Sequence, residues 1–250
     1  MRSISPLLTE ADPLPLLRSK REGAWLLTVE HAGRAIPRRL GDLGLPEGEI
    51  DRHIGWDPGA SDLASRLHDA LGGTLLQQPY SRLVIDCNRP RTAPDLIPET
   101  SDRTLVPANV GLGDDARQER WDAIHRPFHA AVAEAVAARP RALVSIHSYD
   151  PQRHVDAASR PWPVGLLGRD CNALARHLAA ALDCEPLASP LGINQPYCIE
   201  DGSDYTIPVH AEPAGLPHIL IEVRNDHLRS EAAVAAMARL LAAALSSWSD

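Results

Sequence analysis

The feature that most constrains this chain is a regular alternation between short apolar runs and helical patterns. The runs expected to form strands are 24–29, 74–78, 82–87, 142–147, 163–167 and 218–223. The segments expected to form helices are 46–54, 57–71, 115–138, 171–182 and 230–247. Strands that alternate with helices favour a mainly parallel or mixed sheet with helices on both faces. The sequence therefore predicts one α/β domain over residues 1–250, with a loosely packed lead-in over 1–22.

The helix predicted over 57–71 has boundary signals at both ends. Asp57 fits an N-cap with Pro58 at the first helical position, and Gly72 stops the pattern. A polar, proline-bearing stretch over 88–113 is expected to be a loop. Loops of this length inside a compact domain are usually functional or mobile.

Composition and motifs narrow the class of protein. A formal net charge of −8 without a dense Lys/Arg stripe argues against nucleic acid as the partner. No run approaches the ~20 apolar residues of a membrane span, and no signal peptide is evident, so a cytoplasmic protein without a membrane partner is expected. The four cysteines form no C-x-x-C pair and are expected to be mostly core residues. Motifs for a serine nucleophile elbow or a nucleotide-binding loop are missing.

Four of the predicted strands end in residues that can do chemistry. The residues at these ends are Glu30-His31, Asn88-Arg89, His147-Ser148 and Glu222. In open α/β sheets, ligands bind at the carboxyl ends of the strands. The four endings together predict a functional site at that edge of the sheet.

Two histidines from different strand ends indicate a metal site. Neutral imidazole is the commonest zinc ligand, and a catalytic zinc has three protein ligands and one open position. His31 and His147 would be two ligands, unless each is an ordinary hydrogen-bonded histidine. Asp57 is the candidate for the third ligand, with the helix cap as its alternative role. Glu30 is a second candidate, although strand alternation points it away from His31.

Two other segments fit acid–base work and anion binding. Glu222 lies in an apolar run, where a carboxylate is costly without a partner; the alternative is an edge-strand glutamate paired with Arg224. Asn88 and Arg89 follow a predicted strand that begins at Arg82. Because arginine binds carboxylates bidentately, this segment could hold an acidic substrate; the alternative is ordinary surface charge.

Five blocks of the sequence, in this order, resemble the N-formylglutamate amidohydrolases: "VEHAGRAIP", "HIGWDPGASDLA", "YSRLVIDCNRP", "SIHSYDP" and "HILIEVRND". The resemblance runs from about residue 24 to residue 226. It implies a zinc exopeptidase-like, three-layer α/β/α fold of the phosphorylase/hydrolase-like kind. It also implies a Zn²⁺ ion or another divalent transition metal, with Asn88-Arg89 on the substrate carboxylate and Glu222 as the catalytic residue.

The resemblance also implies a reaction, the hydrolysis of N-formyl-L-glutamate to formate and L-glutamate, as in histidine breakdown. In the wider zinc carboxypeptidase-like group the first metal-binding segment is usually H-x-x-E. Here Arg34 stands three residues after His31, which makes Asp57 the expected third ligand. His210 is expected to contact the substrate or the developing oxyanion.

Other functions stay open from the sequence. The site could belong to another zinc-dependent N-acyl amino acid deacylase or to a small carboxypeptidase. It could also belong to a domain that binds a metal or an acidic ligand without turnover, although a pure binding site has no need of a buried base such as Glu222. The acyl group, the physiological metal and the oligomeric state do not follow from the sequence.

Overall fold

A computed structural model describes residues 6–155, 159–169 and 172–249. The strands are β1 (Leu17–Arg21), β2 (Trp25–Val29), β3 (Gly73–Gln77), β4 (Thr100–Ser101), β5 (Thr104–Leu105), β6 (Ala142–Tyr149), β7 (Val164–Leu167), β8 (Gly192–Ile193) and β9 (His218–Arg224). The α-helices are α1 (Ala60–Leu71), α2 (Asp114–Arg120), α3 (Arg126–Ala137), α4 (Ala173–Leu182) and α5 (Glu231–Ser246). A π-helical turn (Trp121–His125) joins α2 to α3.

Within the described residues, seven strands form one mixed sheet in the order β1-β3-β2-β6-β9-β7-β8. Its centre, β3-β2-β6-β9, is parallel. The edge strand β1 runs antiparallel to β3, and β7 runs antiparallel to β9. The register pairs His147 of β6 with Glu222 of β9. The parallel centre therefore brings the carboxyl ends of β2, β6 and β9 to the same edge.

Two buried clusters of apolar side chains cover the two faces of the sheet. On one face, α1, α4 and α5 pack against residues such as Leu27 and Ile221. On the other face, α3 and the segment 83–97 cover residues such as Leu26 and Leu143. Burial on both faces explains why the central strands are almost continuously apolar. The predicted three-layer α/β/α fold is confirmed.

The prediction of a strand over 82–87 is wrong. The segment forms turns, although Leu83 and Val84 are fully buried. Three of its carbonyl groups, those of Leu83, Val84 and Cys87, accept hydrogen bonds from side chains and not from a neighbouring strand. Asn109 Nδ2 donates to Leu83 O at 2.8 Å, and Arg120 Nη1 donates to Val84 O at 2.9 Å. An apolar run in a sequence predicts that its side chains are buried. It does not predict which groups form hydrogen bonds with its backbone.

Several smaller predictions need correction. The lead-in over 1–22 contributes β1, whose five residues are all exposed and therefore form no apolar run. The helix expected over 46–54 is a short 3₁₀ turn, Glu49–Asp51. Cys87 is buried as expected, whereas Cys184 and Cys198 are exposed, and Cys171 lies outside the described residues. None of the described helices is long and apolar enough to cross a membrane.

Candidate active site

The carboxyl ends of the central strands open into a cavity of about 540 Å³. The predicted site residues that line it are His31, Asp57, Arg82, Asn88, Arg89, His147 and Glu222. Residues from β2, β6 and β9 and from the turns over 82–89 therefore meet in one place. The sheet accounts for this convergence, because parallel strands deliver their ends to a common edge.

A buried cluster of His31, Asp57 and His147 lies in this cavity. Both imidazoles direct Nδ1 at the same carboxylate oxygen: Asp57 Oδ2 lies 3.3 Å from His31 Nδ1 and 2.8 Å from His147 Nδ1. One potential ligand atom from each residue lies within 4.8 Å of the others. The three side chains converge on one small volume.

The helix-cap alternative for Asp57 is wrong. Helix α1 begins at Ala60, after Gly59, and has no side-chain cap. The Asp57 carboxylate instead turns toward the histidines and accepts from Ser148 N at 3.3 Å. Burial acts to raise the pKa of Asp57, but His31 and His147 outweigh it and lower that pKa.

The far nitrogen of each histidine is held by a different carboxylate. His31 Nε2 lies 2.8 Å from Asp86 Oδ1. His147 Nε2 lies 3.1 Å from Glu30 Oε2 and 3.0 Å from Ser145 Oγ. A carboxylate on Nε2 fixes the proton there and leaves the Nδ1 lone pair for a metal.

This donor set fits a divalent cation. Burial acts to lower the pKa of His147, but Asp57 and Glu30 raise it well above its ordinary value, so a proton on Nδ1 joins His147 to Asp57 when no cation is bound. A cation that takes the place of this proton would find two Nδ1 lone pairs and a carboxylate oxygen as electron-pair donors. Two imidazoles and one carboxylate, with a cavity in front, are also the donors of a catalytic zinc site with an open position. His31, Asp57 and His147 are therefore the residues that could hold the metal.

Arg82 lines the cavity beside this cluster. Its Nε and Nη2 donate to Asp86 Oδ2 at 3.0 and 2.7 Å, and its Nη1 lies 3.5 Å from Asp57 Oδ1. Burial acts to raise the pKa of Asp86, but Arg82 and His31 hold it well below its ordinary value. Arg82 thus keeps ionised the carboxylate that orients His31.

Asn88 and Arg89 are held in place by the segment around residue 204. Asn88 Nδ2 donates to Asp204 Oδ1 at 3.1 Å, and its Oδ1 accepts from Tyr205 N and Thr206 N, each at 3.1 Å. Arg89 donates through Nε to Asp95 at 2.7 Å and through Nη1 to the Ser203 carbonyl. Its Nη2 has no hydrogen-bond partner among the described residues. Arg89 therefore retains donor capacity at the cavity wall.

Glu222 is nine-tenths buried and lines the cavity next to His147 in the sheet register. Its Oε2 has no hydrogen-bond partner among the described residues. Burial raises the pKa of Glu222 to about 7. The edge-strand alternative is wrong, because β9 is central in the sheet and Arg224 pairs with Asp226. A carboxyl group of this kind can exchange a proton near neutral pH.

His210 lies outside the cavity lining. It belongs to a π-helical turn (Ile207–Ala211), and its Nε2 lies 3.0 Å from His129 Nδ1. Sequence reasoning missed Asp86 and set Glu30 aside. A carboxylate within the apolar run "LVID" is the signal that could have identified Asp86. The orientation of Glu30 agrees with strand alternation, since it faces His147 and not His31.

The fold and the cavity define an α/β protein of the hydrolase type, with its candidate catalytic residues at the carboxyl ends of parallel strands. A family model described as N-formylglutamate amidohydrolase matches residues 23–229, and the chain belongs to this family. As a member, it is a hydrolase of the amide bond of N-acyl amino acids.

The solved structures that are similar to this chain include one from Agrobacterium tumefaciens and one from Ralstonia eutropha. A gene product of Agrobacterium tumefaciens is 35% identical, with 96% of each chain covered and a TM-score of 0.91. The N-formylglutamate amidohydrolase from Ralstonia eutropha is 19% identical, with 93% of this chain and 96% of that chain covered and a TM-score of 0.68. At that identity the second likeness shows the fold alone. No curated protein matches the sequence.

Proposed function

We propose that this protein hydrolyses the amide bond of an N-acyl amino acid in a metal-dependent reaction, with N-formyl-L-glutamate as the first candidate substrate. The products would be formate and L-glutamate. The observation that carries the proposal is the His31–Asp57–His147 cluster in one cavity with the unpartnered carboxylate of Glu222. Family membership supports the choice of substrate.

The metal would be Zn²⁺ or a similar divalent transition ion, because cobalt and manganese also accept imidazole and carboxylate ligands. When bound, it supplies Lewis-acid activation of the scissile carbonyl and of water. The chain contributes the ligands His31, Asp57 and His147. Asp86 and Glu30 fix the orientation of the two imidazoles, which keeps both Nδ1 atoms available.

Glu222 acts in this proposal as the general base and then as the general acid. Its carboxylate takes a proton from the attacking water and passes it to the leaving nitrogen, since an amine anion is a very poor leaving group. Its raised pKa suits both steps, because the group is ionised often enough to accept a proton and acidic enough to return it. No other described carboxylate of the cavity combines burial with an unpartnered oxygen.

Asn88 and Arg89 orient the substrate in the same proposal. Arg89 would bind the α-carboxylate through Nη2, while Asp95 and the Ser203 carbonyl hold the rest of its guanidinium. A charge-assisted pair of this kind fixes both the position and the direction of a carboxylate. Arg82 is less suited to the substrate, because Asp86 engages its Nε and Nη2 and its Nη1 lies 3.5 Å from Asp57 Oδ1.

The charge of the cavity favours a second candidate, an N-acyl amino acid whose side chain is not acidic. Of the eight Asp or Glu residues in the described lining, Asp86, Asp95 and Asp102 are paired with arginines and Asp57 is a proposed metal ligand. The other four are Asp150, Glu200, Asp204 and Glu222. A substrate with one carboxylate would meet less repulsion here than N-formyl-L-glutamate, which has two.

The test combines metal analysis with a matched substrate panel. Purified protein should contain about one divalent ion per chain, and chelation should abolish formate release until metal is restored. N-formyl-L-glutamate and N-formyl-L-glutamine have nearly the same shape and differ in side-chain charge, so their kcat/KM ratio separates the two candidates. If metal-loaded protein cleaves no N-acyl amino acid, the proposal is wrong and the site is a binding site only.

A further inference from the structure

Two buried histidines lie directly behind the segment that carries Asn88 and Arg89. His125 ends the π-helical turn between α2 and α3, and His129 lies one helical turn later in α3. Their exposed fractions are 0% and 6%, and neither lines the cavity. The chemistry proposed above does not use them, so their burial needs another explanation.

Each histidine contacts a backbone carbonyl on one side of Asn88. His129 Nε2 lies 2.6 Å from Cys87 O, and His125 Nε2 lies 3.1 Å from Arg89 O. A carbonyl can only accept, so both imidazoles carry their proton on Nε2 and donate it. The two donors hold the backbone immediately before and after Asn88.

These carbonyls need side-chain donors because their segment belongs to no sheet. The residues over 82–89 form turns, and a buried carbonyl without a strand neighbour must find another donor. Both histidines are neutral at neutral pH, and each keeps its single proton on the Nε2 that faces a carbonyl. Burial lowers the pKa of His125 to about 4 and lowers that of His129 well below its ordinary value. At neutral pH each therefore has one N–H, and it points at the segment.

The π-helical turn explains how one helix reaches these groups. Arg120, His125 and His129 donate to the carbonyls of Val84, Arg89 and Cys87, respectively. In a regular α-helix, residues five apart differ by about 140° around the axis, because each residue advances it by about 100°. A π-helical turn closes its hydrogen bond at the fifth residue, which returns position 125 to the face of position 120.

We propose that His125 and His129 are positioning residues that set the place of Asn88 and Arg89 at the cavity wall. The proposal rests on the proposed function in one respect, the binding of the substrate carboxylate by Arg89. The histidines act on the backbone from behind, while Asp95 and the Ser203 carbonyl hold the Arg89 side chain from the front. A shift of this backbone would misplace the Nη2 donor of Arg89. It would affect His31 less, because Asp86, which accepts from Asn88 N at 2.8 Å and orients His31, is also held by two nitrogens of Arg82.

The experiment compares glutamine and leucine at each histidine. Glutamine places an N–H donor close to the position of imidazole Nε2, whereas leucine removes the donor. His125→Leu and His129→Leu should raise KM for N-acyl substrates by about tenfold to a hundredfold and change kcat much less, since a small displacement of a binding group costs on this scale. The glutamine variants should restore KM to within a few-fold. Metal affinity, measured by chelator competition, should change much less than KM in all four, because Arg82 also holds the Asp86 carboxylate that orients His31.

A matched control is available at His68. It is buried, and its Nε2 bonds to the carbonyl of Gly73 at 3.1 Å, away from the cavity. His68→Leu should lower thermal stability and leave KM unchanged. A similar rise of KM in His68→Leu and His125→Leu would overturn the positioning role and leave a general effect of instability.

Amide hydrogen exchange over residues 86–91 separates this inference from the proposed function. The leucine variants at 125 and 129 should speed exchange in this segment, and the glutamine variants and His68→Leu should not. If the segment loosens but the parent cleaves no N-acyl amino acid, the positioning stands and the proposed function fails. If exchange is unchanged, or if KM stays parental while the segment loosens, the inference is wrong. Where a leucine variant does not fold, asparagine, whose side chain is too short to reach, replaces it.

Discussion

Replacing Glu222 by glutamine gives the sharpest test of the proposed mechanism, because one change should have two opposite effects. Glu222 lies in β9 beside His147 in the register, and its Oε2 has no hydrogen-bond partner among the described residues. Glutamine keeps the size and polarity of the side chain but cannot exchange a proton. The variant therefore removes the base and also removes a buried charge.

The expected loss of kcat is about 10²-fold to 10⁴-fold, the usual contribution of general acid–base catalysis. The second expected effect is a higher free energy of unfolding for the metal-free variant than for the metal-free parent. Burial raises the folded-state pKa of Glu222 from 4.5 to about 7, so the folded state keeps its proton longer than the unfolded chain. The corresponding stability is fully present below pH 4.5 and is lost as the pH rises through 7. This loss amounts to about 3 kcal/mol by pH 8.

Urea unfolding of the metal-free parent and Glu222→Gln at pH 5 and pH 8 measures the second effect. At pH 8 the variant should be more stable than the parent by up to about 3 kcal/mol, and at pH 5 most of this difference should vanish. Glu200→Gln is the matched control, because Glu200 also lines the cavity but is exposed. A variant with near-parental kcat would refute the assignment of the base. Loss of metal affinity in the variant would make Glu222 a ligand.

Three other predictions follow from the same site. His31→Ala should abolish metal binding and formate release together. Asp57→Asn should weaken metal affinity in a chelator competition. Full metal occupancy in the Asp57 variant would show that Asp57 is not a metal ligand. Glu30→Gln should lower metal affinity by about 10-fold to 100-fold, because the carboxylate that orients His147 is lost. An unchanged metal affinity would contradict this role of Glu30. Arg89→Ala should reduce kcat/KM by about 10²-fold or more. Arg89→Lys should restore little, because a single ammonium cannot contact Asp95, the Ser203 carbonyl and the substrate in the directions that the guanidinium does. Equal cleavage by the alanine variant and the parent would disprove the carboxylate site.

The sequence predicted the sheet and its functional edge where the signal was local. Buried parallel strands must be apolar on both faces, so β2, β6 and β9 stood out as continuous runs. The polar residues that follow or interrupt these runs, His31, His147 and Glu222, were recognisable because such groups are costly inside an apolar strand. These three do meet in one cavity.

The same reasoning failed where an apolar run was buried without being a strand. The residues over 82–87 are as buried as a central strand, but side chains of Asn109, Arg120 and His129 satisfy their carbonyls. These donors lie far along the chain from the carbonyls that they serve. The hydrophobic pattern of a sequence predicts which side chains are buried. It contains no information about the hydrogen-bond partner of a backbone group.

What the sequence determined by itself is therefore the order of the apolar strands β2, β3, β6, β7 and β9 and of the α-helices that follow them. It also determined the chemistry at the ends of the parallel strands, because both follow from short-range patterns of apolar and polar residues. Only the tertiary structure decided which way Asp57 turns and which carboxylates engage the far nitrogens of the histidines. It also decided that Arg82 serves Asp86 while Arg89 keeps a free donor. The physical reason is that hydrogen bonds and ion pairs depend on distances of a few ångströms between residues tens of positions apart, and packing alone sets those distances.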